Sequence, residues 1–121
     1  MADERPLTPA PSAAPAPEAD APELAAWRRR IDQIDTQLMG LLNSRSACAV
    51  EIGRIKRTLG LPVYSPEREA RILERVMREN PGPLDPTAVR RVFERIIDES
   101  RRLERLAADG AETGAETKSK E

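Results

Sequence analysis

Residues 27–59 read WRRRIDQIDTQLMGLLNSRSACAVEIGRIKRTL. Within them Trp27, Ile31, Ile34, Leu38, Leu41, Cys48, Ile52, Ile55 and Leu59 follow one another in steps of three and four, with one step missing. That spacing keeps side chains on one face of an α-helix. No proline interrupts the stretch from Glu23 onward, and Gly40 and Gly53 each weaken a helix by about 1 kcal/mol without stopping it. The helix is expected to run from Glu23 to Leu59, where Gly60 and Pro62 end it. At 1.5 Å per residue it is about 54 Å long. A compact monomer of this size is shorter, so much of the helix is expected to lie against another chain.

Beyond a short loop, Gly60 to Tyr64, Ser65 and Pro66 form a cap-then-proline start for a second helix. Ile72, Leu73, Val76 and Met77 supply its buried face, and the run NPGP, Asn80 to Pro83, ends it. Asp85 and Pro86 repeat the start signal. Val89, Val92, Phe93, Ile96, Ile97, Leu103 and Leu106 then mark a third helix. No segment alternates with period two. The expected fold class is all-α, with one long, one short and one medium helix.

The flanks differ in composition. Residues 1–22 are rich in Pro, Ala and acids, with Leu7 the only large aliphatic after Met1, and residues 107–121 have none. Neither flank buries enough apolar surface to offset the entropy of ordering it, so both are expected to be disordered. The structured domain is residues 23–106. A core of about 84 residues is thin, which again favours oligomerisation.

Of the chain's 20 basic and 21 acidic residues, three basic and eight acidic lie in the flanks; the core keeps 17 against 13, a net +4. A mildly basic core suits a small anionic ligand. Nucleic acid is poorly supported, because Trp27, Tyr64 and Phe93 are the only aromatics and no reader motif is present. One cysteine, Cys48, excludes an internal disulfide, and one cysteine with no histidine argues against a zinc site. The N-terminus lacks a basic-then-apolar signal and no apolar run reaches membrane-spanning length, so a cytoplasmic location without membrane contact is expected.

The missing step in the first stripe is Arg45, which shares a seven-residue repeat with Ile31, Leu38, Ile52 and Leu59. A cation in an apolar seam needs a counter-charge. Lys56, eleven residues on, falls within about 20° of the same direction and about 16 Å further along. Two cations on one line suggest a dianion. On the third helix, Ser100 and Glu104 interrupt the apolar face one turn apart. Burial there raises a carboxyl's pKa, whereas neighbouring cations lower it. Arg68 and Glu69 occupy the first turn of the second helix, at the same end as Lys56. Taken singly, each placement also fits an ordinary helix surface: the cations as snorkelling edges, Ser100 bonded back to its own helix, Glu104 paired with Arg101. Periodicity leaves both readings open. Arg54, Arg57 and Arg71 are expected to face water.

The motifs IDxID…LLxxR, GRIK, PVYxPEREARIL and FxxIIDESRRLE, spread between Leu24 and Leu106, closely resemble the all-helical (type II) chorismate mutases. The resemblance implies an intertwined homodimer of three-helix chains, whose paired long helices form two sites. It implies the rearrangement of chorismate to prephenate in the shikimate pathway, toward phenylalanine and tyrosine, with no cofactor and no covalent intermediate. Such a reaction is assisted by holding the substrate folded and by stabilising negative charge on the ether oxygen as its bond to carbon breaks. Arginine forks suit the substrate's two carboxylates.

By position, the resemblance assigns Arg45 to a carboxylate and Lys56 to a carboxylate and the ether oxygen. Arg68 is an active-site arginine, Glu69 binds the substrate's hydroxyl, and Ser100 lies near a carboxylate. Arg28 comes from the other subunit. It stands about 25 Å along the helix from Arg45 and roughly 100° round it, too far to share one small ligand within a chain. Glu104 stands where some members have Gln, and donates to the ether oxygen only when protonated. Ser65 replaces an acid common in that version. The same fold also serves isochorismate-pyruvate lyases and mutases of an amino analogue. Two further alternatives are a weakly active partner subunit of an aromatic-pathway enzyme and a generic basic coiled-coil dimer.

Overall fold

The computed structural model describes residues 21–120, with side chains as far as residue 110. Three α-helices follow one another: α1 (Pro22–Thr58), α2 (Pro66–Glu79) and α3 (Pro86–Lys120), with no strand among the described residues. The expected all-α order is therefore present. The reading of residues 1–22 as a disordered head falls, but for its last two positions, outside the described residues.

Each boundary has a local cause. Glu23 in the first turn of α1 and Lys56 and Arg57 in its last complement the helix dipole. Its C-terminus closes as a Schellman motif: Leu61 N–H donates to the Lys56 carbonyl at 2.8 Å, and Gly60 N–H to that of Arg57 at 3.2 Å. The motif needs a left-handed residue, and Gly60 supplies it at φ 71°. Ser65 caps α2 by accepting from Arg68 N–H at 3.3 Å, with Pro66 in the first turn. Asp85 caps α3 through Ala88 N–H at 2.9 Å.

One boundary departs from expectation. The tail from residue 107 was expected to lack structure, but α3 continues through Lys120. The residues beyond Leu106 lack large aliphatics, which governs packing. Their alanines, glutamates and lysines favour helix, and Gly110 and Gly114 weaken it without ending it.

The chain divides into two compact units at Gly40 and Leu41, inside α1. The described part of the first is one helical stretch whose apolar side chains are open: Trp27, Ile31, Ile34 and Leu38 are all exposed. In the second unit α2 packs on α3, and Ile72 and Ile97 are its buried apolar side chains. Leu73, Val76, Met77, Phe93 and Ile96 are half-buried. Val92, Leu103 and Leu106, which mark the apolar face of α3, are exposed, as are Ile52, Ile55 and Leu59 of α1. No helix among the described residues is long and apolar enough to cross a membrane.

Candidate active site

The second unit contains a cavity of about 560 Å³, bounded by the second half of α1, the loop after it, the start of α2 and the middle of α3. That volume lies in the range that takes small organic ligands. Arg45, Lys56, Arg68, Glu69, Ser100 and Glu104 all line it. Six of the seven side chains singled out by sequence thus meet in one place. The seventh, Arg28, is exposed on the first half of α1 and is not among the lining residues.

Arg45 and Ser100 join α1 to α3. Arg45 Nη1 donates to Ser100 Oγ at 3.2 Å, and Ser100 is only 5% exposed. The serine therefore receives an arginine from another helix instead of turning back on its own. Accepting leaves the hydroxyl its own proton to donate, and one N–H to Ser100 leaves four of the guanidinium's five for a ligand.

Lys56 is half-buried and its Nζ donates to the Val63 carbonyl at 3.3 Å. The backbone carbonyl of Lys56 itself belongs to the Schellman turn. Helix end, loop and ammonium are thereby fixed together. A carbonyl is a neutral partner, so this bond orients the ammonium without cancelling its charge.

Glu104 reaches across from α3 toward buried Gly53 of α1. A Cβ built on Gly53 would stand 3.5 Å from Glu104 Oε1 and 3.4 Å from Arg57 Nη1. Burial holds the Glu104 carboxyl above its usual 4.5; Lys56, Arg57 and Arg101 pull it down, and Glu69 adds to the rise. Desolvation prevails over three cations. The carboxyl retains its proton to higher pH than an exposed glutamate would.

Glu69 and Arg68 behave differently although adjacent. Arg68 is exposed at the cavity edge, while Glu69 is half-buried against Arg101 of α3. Arg101 Nη2 donates to Glu69 Oε1 at 3.3 Å, and Nε lies 3.2 Å from Oε2. That Nε is buried and makes no aligned hydrogen bond, so the second contact is an ion pair only. Arg101 also holds Asp98 at 2.9 Å and lies 5.0 Å from the centre of the Tyr64 ring.

Several participants were not expected. Arg101, a possible partner of Glu104 were that carboxyl ordinary helix surface, instead pairs with Glu69 and Asp98 and affects Glu104 through its charge alone. Asp98, three residues before it, was legible as a neighbour; Glu69, on another helix, was not. Arg71 is exposed, as expected, yet lines the cavity, and so does Tyr64. Arg54 pairs with Glu51 on the surface as a solvated residue should. Arg57 is exposed but bears on Glu104. Chemically the cavity offers cations for a small dianion, together with the Ser100 hydroxyl and the Glu104 carboxyl as further polar partners for a ligand. Among the described residues no group of three or more His, Cys, Asp or Glu could hold a metal ion.

Residues 27–105 match the family model described as chorismate mutase type II. The chain is 44% identical over 91 residues to a bifunctional chorismate mutase/prephenate dehydratase of Pseudomonas aeruginosa, covering 71% of this chain and 25% of that one. It thus spans about a quarter of the length of the first curated relatives it matches. It is 32% identical over 109 residues to a 4-amino-4-deoxychorismate mutase of Streptomyces pristinaespiralis, covering 88% and 84% of the two chains. The solved chorismate mutase (form II) of Thermus thermophilus superposes with a TM-score of 0.67 at 36% identity, over 69% of this chain and 94% of that one. A family match across most of the three helices and a solved relative of the same fold agree: the chain belongs to the type II chorismate mutases.

Proposed function

We propose that the protein converts chorismate to prephenate, acting in the cytoplasm as a homodimer in which Arg28 of each chain completes the other's site. One observation carries the reading: Arg45, Lys56 and Glu104 converge on a single cavity with Ser100 and Glu69. Arg45, positioned by Ser100, takes one substrate carboxylate, and Arg28 of the second copy with Arg68 takes the other. Lys56 and protonated Glu104 donate to the ether oxygen as its bond to carbon breaks. Glu69 accepts from the ring hydroxyl. The rearrangement is intramolecular, so folding the substrate and stabilising charge supply the catalysis. The exposed apolar stripe of α1, from Trp27 to Leu59, supports the second chain.

The Streptomyces relative favours one second reading, the 4-amino analogue as substrate. Parallel assays of the purified chain with chorismate and with 4-amino-4-deoxychorismate decide between them. The proposal expects kcat/KM at least tenfold higher for chorismate; the reverse order would transfer it to the amino substrate.

A further inference from the structure

Arg101 is the one cation of the cavity already held by carboxylates from two helices, and the proposed reaction leaves it without a role. Its guanidinium gathers Glu69 from α2, Asp98 from its own helix and the Tyr64 ring from the loop. Glu69 is gripped at both oxygens, yet only the bond to Oε1 is aligned as a hydrogen bond. An ionised carboxylate has about four acceptor sites. The grip therefore fixes the rotamer of Glu69 and leaves it able to accept from a ligand.

The charge has a second consequence. A lone carboxylate attracts a cationic substituent more strongly than a neutral one. Paired with a guanidinium, it loses that preference, and an ammonium brought to Glu69 also approaches Arg101, a like charge. A hydroxyl meets no such penalty. Lys56 and Arg57 of α1, Glu104 of α3 and the exposed carboxylate of Asp98 also bear on this cluster, but they remain in every variant and bear on the two ligands alike.

We infer that Arg101 is a positioning residue that orients Glu69 and makes the cavity prefer a neutral hydroxyl to an ammonium on the substrate ring. The inference rests on the proposed assignment of Glu69 to the ring substituent.

The test measures kcat and KM of the full chain with chorismate and with 4-amino-4-deoxychorismate, near neutral pH where the amine is protonated. Arg101→Met keeps the stem and removes the charge. It should lower kcat/KM for chorismate about tenfold and move the ratio between the substrates at least tenfold toward the amine, about 1.4 kcal/mol. Arg101→Lys should retain the wild-type ratio at reduced kcat/KM, because it restores the charge without the fork. If the Met variant does not fold, Arg101→Gln carries the same expectation as Met. Equal losses on both substrates, with the ratio unmoved, would overturn the inference and leave the proposed function standing. A wild-type protein that turns over neither substrate would overturn both.

Discussion

The guanidinium of Arg45 and the hydroxyl of Ser100, 55 residues apart in the chain, meet at 3.2 Å and tie α1 to α3 at the wall of the cavity. The bond holds at the cavity wall a cation that interrupts an apolar seam, and in the proposed reaction that cation receives a substrate carboxylate. Ser100→Ala removes the acceptor and leaves a half-buried Nη1 without it. A hydrogen bond to a charged group contributes about 1.5–3 kcal/mol, so kcat/KM for chorismate should fall by at least tenfold. Arg45→Leu should cost more activity, about a thousandfold, while denaturant midpoints hold or rise, because a desolvated cation is replaced by an apolar side chain. Parallel kinetics and urea unfolding of the two variants check both.

Glu104 sets a pH dependence whose sign follows from its surroundings. Its proton is held more tightly folded than unfolded, by burial acting against Lys56, Arg57 and Arg101. In the proposed reaction only the protonated form can donate to the ether oxygen. Activity should therefore be highest below the folded pKa of Glu104 and fall as pH rises through it. Stability moves the same way: the folded state binds more protons between the ordinary carboxyl value and the raised one, so unfolding becomes easier as pH climbs through that window. Glu104→Gln donates at every pH, and its profile of kcat against pH should be flat where the wild type declines.

Gly53 is where α1 makes room for Glu104. Its Cβ would make only ordinary contacts, at 3.4 and 3.5 Å. Gly53→Ala should fold and raise helix stability by about 1 kcal/mol, with activity within a few-fold of wild type. Gly53→Leu should push the Glu104 carboxyl away and lower kcat by at least tenfold. Thermal unfolding beside kcat for the pair separates room from propensity.

Arg28 belongs to the proposed second copy. Arg28→Ala and Arg45→Ala should each be nearly inactive alone. Unfolded together and refolded as a mixture, they should regain about a quarter of wild-type activity, since half the dimers are mixed and each has one intact site. No recovery, with mixed dimers demonstrated, would mean that the Arg28 and Arg45 of each site come from one and the same chain.

Much of this was legible from spacing. The helix starts at Ser65–Pro66 and Asp85–Pro86 and the stop at Gly60 depend on neighbours in the chain, and each lies where local chemistry puts it. Arg45, Ser100 and Glu104 stood out because they interrupt apolar stripes, and Lys56 because it lies in line with Arg45. Arg101 did not, because it interrupts nothing, and its partner Glu69 is reached only once α2 and α3 have packed. The extension of α3 to Lys120 was hidden for another reason: apolar spacing reports which face is buried, and a helix can continue where nothing is buried. Ile31, Leu38, Ile52 and Leu59 form the stripe that periodicity marks, and all four are exposed in the single chain, as a face meant for another chain would be.

The central claim is that a lysine-and-carboxyl pair in a cationic cavity stabilises the breaking ether bond of chorismate. It is tested most directly by following chorismate loss and prephenate formation with the wild-type protein and with Lys56→Ala. The wild type should convert chorismate to prephenate mole for mole without releasing pyruvate. Lys56→Ala should lose about 10²–10³ in kcat, the usual cost of one oxyanion donor. Chorismate left intact, pyruvate released in place of prephenate, or a Lys56→Ala variant with kcat preserved and only KM raised would contradict it.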